Sequence, residues 1–332
     1  MTTRSFTSPL KDQLKDFLQY KRAAGCRYRA EEIILSGLDR FLARHLAAAD
    51  PVITLDVVRA FVQAGQCSDA TQAHRLTLLR ELCRYLAVED SRTAIPPRSF
   101  LGLRRRPYVQ RILARDEGRR FLATCSTFPR ARCSPLRGVV HGTALTLLYV
   151  TGLRLGEALR LSLADVDLSR GLLHVRLGKF GKSRLVPVST DMVQRLRACR
   201  EAIEQRLGPR PMDALFFVGS RGKPVTQSAL RGSFRDILKR AGIAQGVGRR
   251  PRVHDLRGTF AVHRLLRWYE QNADLEAKLP LLVTYLGHVS LRGSQRYLQL
   301  ARDLLGEVTR RHQAHFGHLI TDEPEATSHE NP

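Results

Sequence analysis

Apolar residues recur every three or four positions along most of this chain, and the interval drops to two only between Val166 and Val188. A helix brings every third or fourth side chain to one face and a strand brings every second, so the pattern partitions the chain before any motif is considered. Leu14, Phe17, Leu18 and Tyr20 mark a first helix, and Ile33, Ile34, Leu38, Phe41 and Leu42 a second. Val57, Val58, Phe61 and Val62 mark a third, and Leu76, Leu79, Leu82, Cys83 and Leu86 a fourth. Thr54 and Ser68 stand where N-caps belong, and Gly25 and Asp50-Pro51 punctuate the series. Val166-Asp167-Leu168, Leu172 to Leu177 and Arg184 to Val188 alternate like short half-buried strands, and Leu215 to Val218 reads as a further strand. The expected fold is mainly α with a small antiparallel β-sheet.

A length of 332 residues exceeds one ordinary domain. The texture divides it into a helical domain over 1–92, a basic linker over 93–113, a second domain over 114–318 and a polar, acidic tail over 319–332 that reads as disordered. Lys and Arg number 55 against 31 Asp and Glu, a formal net charge of +24 that favours a polyanionic partner, foremost nucleic acid. The linker concentrates this charge in Arg104, Arg105 and Arg106, and further basic segments run from Arg231 to Arg249 and Arg250, so these six arginines are the expected DNA contacts. No stretch approaches the roughly 18 uninterrupted apolar residues of a membrane span, and the N-terminus lacks a secretory apolar core, so a cytoplasmic protein with no membrane partner is expected. The six cysteines form no Cys-x-x-Cys pair, and His312, His315 and His318 wind around their helix, so neither metal nor other cofactor is expected.

Three motifs carry chemistry. Thr151-Gly152-Leu153-Arg154-Leu155-Gly156-Glu157 follows an apolar helix; Gly178-Lys179-Phe180-Gly181-Lys182 forms a glycine-bearing turn between strands; and Val253-His254-Asp255-Leu256-Arg257 opens a helix that leads to Leu286-Gly287-His288 and Tyr297. Helical spacing sets His254 and Arg257 one turn apart, projecting together. Gly181-Lys182-Ser183 matches the end of a nucleotide-binding loop, but Arg176 stands where that motif needs glycine and a strand follows where it needs a helix. In order and spacing the three motifs resemble the first arginine box, the lysine-bearing β-hairpin and the C-terminal signature of the tyrosine recombinase (phage integrase) family. The resemblance spans roughly Ala114 to Val308.

That resemblance implies an N-terminal core-binding (SAM-like) helical domain followed by an α+β catalytic domain. It also implies site-specific cleavage and rejoining of double-stranded DNA, for a mobile element or phage, by protomers assembled as a tetramer-like synaptic complex, with other recombinases as further partners. Arg154 and Arg257 offer planar forks for phosphate oxygens, and Tyr297 would attack phosphorus to form a covalent phosphotyrosine. The resemblance makes the linkage a 3′ one, Lys179 the general acid, His254 an aid to proton transfer, His288 a hydrogen-bond donor to the phosphate and Glu157 a support for Arg154. Two alternatives use the same residues differently: a type IB topoisomerase-like enzyme, and an accessory DNA-binding subunit that no longer cuts. The chain departs from the family in Gly258, where many members carry histidine, and in a long connection from Leu265 to Val283.

Overall fold

The computed structural model describes residues 5–26, 28–47, 49–102, 110–129, 134–176, 183–243 and 250–287. The chain divides into two compact units, Met1–Tyr108 and Val109–Pro332.

In the first unit α1 (Lys11–Ala23), α2 (Arg29–His45), α3 (Leu55–Gln63) and α4 (Asp69–Leu86) turn their apolar stripes into one core. Leu14, Phe17, Leu35, Leu42, Val58, Val62 and Leu82 are wholly buried there. Thr54 and Ser68 cap α3 and α4 as the sequence predicts, their hydroxyls accepting from the amides of Val57 and Thr71. Tyr20 and Ile33 instead face outward, so the buried stripe is narrower than the run of apolar letters. Asp39 on α2 brings a buried carboxylate into this core, and it accepts the amides of Thr7 and Ser8 at 2.8–3.0 Å. Burial opposes ionisation of Asp39, but the hydrogen bonds from Ser8 and Thr7 outweigh it and hold the carboxyl below its ordinary range.

The second unit begins with α5 (Arg115–Ser126), α6 (Arg137–Thr151), the single turn α7 (Leu155–Ala158) and a 3-10 turn over Leu163–Asp165. A three-stranded sheet follows, β1 (Val166–Asp167), β2 (Leu172–Val175) and β3 (Arg184–Pro187), antiparallel throughout, with Leu173 opposite Val186 and Val175 opposite Arg184. Then come α8 (Thr190–Leu207), α9 (Gln227–Arg240), α10 (Asp255–Glu270) and α11 (Leu275–Leu286). Helix α6 is buried nearly all round, through Val140, Ala144, Leu145, Leu147 and Leu148, because α5, α8, α9 and α10 all pack on it.

Leu215 to Val218 is not the strand its apolar run predicts. It makes two isolated bridges, Leu215 to Ser162 and Val218 to Pro224. Successive strand residues face opposite sides, whereas Phe216 and Phe217 are both buried, with ring centroids 5.0 Å apart, and that requires a bend between the bridges.

Gln110 to Leu113, which composition assigns to the linker, lies on α10. The Leu113 amide donates to Thr259 Oγ1 at 3.1 Å and its carbonyl accepts from His263 Nε2 at 2.8 Å. Gly258 lies beneath this segment: a Cβ there would sit 2.8 Å from Gln110 Oε1 and 3.2 Å from Ile112. A side chain at this position would require the ends of the Gln110 and Ile112 side chains to move aside. The long connection after Leu265 resolves into the end of α10, a turn at Gln271–Asp274, and α11, whose first amides are capped by Asp274. Among the described residues no helix is long and apolar enough to cross a membrane. The tail over 319–332 lies outside the described residues.

Replacing Asp39 with alanine strands the buried amide of Ser8 and the part-buried amide of Thr7, which is worth about 1–3 kcal/mol. Urea unfolding of Asp39→Ala should show a lowered midpoint with an unchanged slope, and an unchanged midpoint would mean that the segment before α1 contributes nothing to the bundle.

Candidate active site

Helix α6 ends on Gly152 in the left-handed conformation, φ 63°. Glycine is required there twice over, because a Cβ would also meet the Phe260 ring at 2.7 Å and Leu286 at 3.0 Å. The reversal delivers Arg154 to the start of α7, in extended conformation and half-buried. Its backbone amide donates to Glu157 Oε2 at 2.9 Å and its Nη1 to Glu157 Oε1 at 2.7 Å. The remaining terminal nitrogen, Nη2, reaches the carbonyl of Gly287 at 3.2 Å.

Arg257, on the first turn of α10, is 2% exposed. It donates from Nη1 to the Gly152 carbonyl at 2.8 Å and from Nη2 to the Leu286 carbonyl at 2.7 Å. Those carbonyls close α6 and α11, where helix ends leave acceptors unsatisfied and favour a cation. Two arginines 103 positions apart in the chain thus bind the consecutive carbonyls Leu286 and Gly287, immediately before His288.

A third arginine completes the cluster, one that the sequence places in a strand without marking it as part of the site. Arg184 opens β3 and lays its guanidinium flat against Glu157, Nη1 to Oε1 at 3.2 Å and Nη2 to Oε2 at 2.9 Å, while Nε donates to the Tyr285 carbonyl at 2.8 Å. The available signal was its place in the alternation: Arg184 shares the inward face of β3 with buried Val186, while Leu185 between them is exposed. Glu157 is 3% exposed. Burial alone would raise its carboxyl, but the hydrogen bonds and charge of Arg184, with the amide and guanidinium of Arg154, pull it down to about 2.

His254 precedes α10 and is exposed, one turn from Arg257 but at a different depth. It lines a cleft of about 650 Å³ with Leu155, Arg231, Phe234, Arg235 and Arg252. Arg231 of the expected DNA contacts therefore stands beside the site, and Arg250 is exposed at the approach to α10. Lys179, His288, Tyr297, Arg104, Arg105, Arg106 and Arg249 lie outside the described residues.

The Glu157 shift, from 4.5 to about 2, sets a pH dependence. A carboxylate with a lowered pKa stabilises the fold fully above its ordinary value and loses that contribution as the pH falls through about 2. Glu157→Gln leaves two guanidiniums on a neutral partner and should lower unfolding stability at pH 7 by about 3 kcal/mol. The gap between wild type and variant should narrow steadily below pH 4.5. A gap that is constant with pH in denaturant titrations would show that the ionised form is not what matters.

Comparison with known proteins places this arrangement. Residues 111–303 match the phage integrase family. The integrase/recombinase y4rE of Sinorhizobium fredii is 36% identical over 314 residues, covering 92% of this chain and 97% of its own. Among solved structures, the XerH site-specific recombinase in a post-cleavage complex with palindromic difH substrate aligns over 84% of this chain and 77% of that chain, with TM-score 0.61 and 22% identity. A lambda integrase tetramer bound to a Holliday junction aligns over 85% of this chain and 77% of that chain, with TM-score 0.57 and 19% identity. The two structures share the fold of this chain, and the family match together with the Sinorhizobium relative assigns its membership: the chain belongs to the phage integrase family, the tyrosine-type site-specific recombinases.

Proposed function

We propose that this recombinase cleaves and rejoins double-stranded DNA through a covalent 3′-phosphotyrosyl intermediate, with Tyr297 as nucleophile and Arg154 and Arg257 as the phosphate clamp. The observation that carries this reading is the meeting of the two arginines on the Leu286 and Gly287 carbonyls, directly ahead of His288. Attack on phosphorus adds charge to the non-bridging oxygens, and guanidiniums already held in place stabilise that charge without reorganising. Lys179 protonates the departing 5′ oxygen, His254 assists proton transfer at the mouth of the basic cleft, and His288 hydrogen-bonds the phosphate. Glu157 keeps Arg154 aimed. Because the bond energy is kept in the phosphotyrosine, a 5′ hydroxyl from a second duplex can reverse the step and exchange strands.

Arg231 and Arg250, with Arg104, Arg105, Arg106 and Arg249, contact the phosphate backbone. The working assembly is a tetramer-like complex of protomers on two duplexes, for a mobile element or phage, acting in the cytoplasm and alongside other recombinases where the two sites differ. This part of the reading rests on the charge of the chain and on relatives such as the lambda integrase tetramer on its Holliday junction.

Binding and chemistry separate experimentally. Affinity for duplex DNA should fall with salt at a logarithmic slope of about −0.9 per phosphate neutralised. Replacing Arg104, Arg105 and Arg106 together by alanine should flatten that slope, and an unchanged slope would remove them from the interface. Tyr297→Phe should bind DNA normally and form no covalent adduct on any substrate. Lys179→Ala keeps the nucleophile but loses the acid, a defect of about 10²- to 10⁴-fold in cleavage. A 5′-bridging sulfur leaves as a thiolate without protonation, so it should restore cleavage by Lys179→Ala and leave Tyr297→Phe and Arg257→Ala inactive. If sulfur leaves Lys179→Ala as slow as before, the acid lies elsewhere. Exchange of strands between two labelled duplexes, as opposed to relaxation of a supercoil alone, separates recombination from a topoisomerase-like activity.

A further inference from the structure

The geometry points to Arg184 as a positioning residue for strand cleavage: we infer that it holds the carboxylate of Glu157 so that Arg154 presents an undiminished positive charge to the scissile phosphate. The inference rests on the reading of Arg154 as a phosphate clamp. It adds a residue that touches no substrate and acts through another.

Charge and geometry carry it together. Arg154 and Glu157 alone would be a close ion pair, and a carboxylate 2.7 Å from Nη1 would cancel much of the charge that a phosphate should feel. Arg184 changes this balance by gripping both Glu157 oxygens with both terminal nitrogens, at 3.2 and 2.9 Å. The three side chains then carry a net charge of +1, and Arg184 is the more deeply placed of the two arginines, at 12% side-chain exposure against 26% for Arg154. One guanidinium thus neutralises the carboxylate from the more buried side, and the other is the more accessible of the two.

The same side chain also sets the height of the turn before His288. Its Nε donates to the Tyr285 carbonyl, and its plane lies so close to Gly287 that a Cβ there would meet Nη1 at 2.9 Å and Cζ at 3.0 Å. Gly287, at φ 68°, in turn offers Arg154 its carbonyl. Arg184 therefore binds the carboxylate partner of Arg154 and, through the Tyr285 carbonyl and its packing on Gly287, braces the turn that offers Arg154 its carbonyl partner. Only a planar fork with an additional Nε–H can do so, because an ammonium has neither the span nor the fixed directions.

Single-turnover cleavage by Arg184→Gln, Arg184→Lys and Arg154→Ala, on two substrates, tests the inference. One substrate has the natural phosphodiester; in the other a methyl group replaces one non-bridging oxygen, so that the phosphate is neutral and asks less of a cation. On the natural substrate Arg184→Gln should cleave about 10²-fold more slowly, the usual consequence of a misplaced catalytic group, and bind DNA within about twofold of wild type. On the neutral substrate its deficit should shrink below about tenfold, because the transition state carries one negative charge fewer for Arg154 to stabilise. Arg184→Lys should fall between wild type and Arg184→Gln on the natural substrate. It also serves as the test variant if Arg184→Gln fails to fold, with the same comparison of substrates.

Equal losses on both substrates would mean that Arg184 merely supports the fold, and the inference would be overturned. A normal Arg184→Gln beside an impaired Arg154→Ala overturns it as well, while leaving the phosphate clamp intact. An unimpaired Arg154→Ala would overturn the clamp itself and this inference with it.

Discussion

A buried guanidinium joining two helix ends underlies the catalytic unit. Arg257 donates to the last carbonyls of α6 and α11, so the ends of two segments more than a hundred residues apart meet at one cation. Neither half of that contact is stable alone: a buried guanidinium without acceptors costs several kcal/mol, and buried helix-terminal carbonyls without donors cost nearly as much. Satisfying each with the other fixes where α6 stops. Where α6 stops, Gly152 reverses the chain and Arg154 begins.

The second constraint is electrostatic. A protein with a net charge of +24 that must gather cations at one point risks having them push one another apart. Glu157 answers this locally, as a buried carboxylate whose two oxygens are each shared by Arg154 and Arg184. Its pKa, pulled down to about 2, follows from that company and keeps it ionised at any pH at which the fold is of use. On the proposed reading of Arg154 as a phosphate clamp, the arrangement is organised before substrate arrives, which is the condition under which fixed charges lower a barrier most.

Support for both contacts comes from packing. Helix α6 is buried on nearly every side, and the small cluster of Ala261, Val262, Leu265, Leu282 and Leu286 fixes α11 against α10. The first described residues of this unit reinforce α10 from another direction, through Thr259, His263 and the space left by Gly258. The side chains of Gln110 and Ile112 occupy the space that a side chain at Gly258 would take.

Much of this was legible in the order of the residues. Apolar spacing foretold the four helices of the first unit and the sheet of the second, because periodicity registers which face is buried. Thr54 and Ser68 announced their caps, since a cap is a contact across three residues. The pairing of Arg154 with Glu157 is of the same local kind. What the residue order withheld is the set of partners that meet across distance. Arg184 reaches a carbonyl 101 positions away and Arg257 one 105 positions away. Every residue carries the same carbonyl, so no letter marks Gly152, Tyr285, Leu286 or Gly287 as an acceptor. The bend between Phe216 and Phe217 was hidden for a related reason, because two adjacent apolar letters do not say whether one core or two will take them. Such choices are made when helices and sheet close on one another, through the demand that each buried polar group find a partner and each buried ring a place.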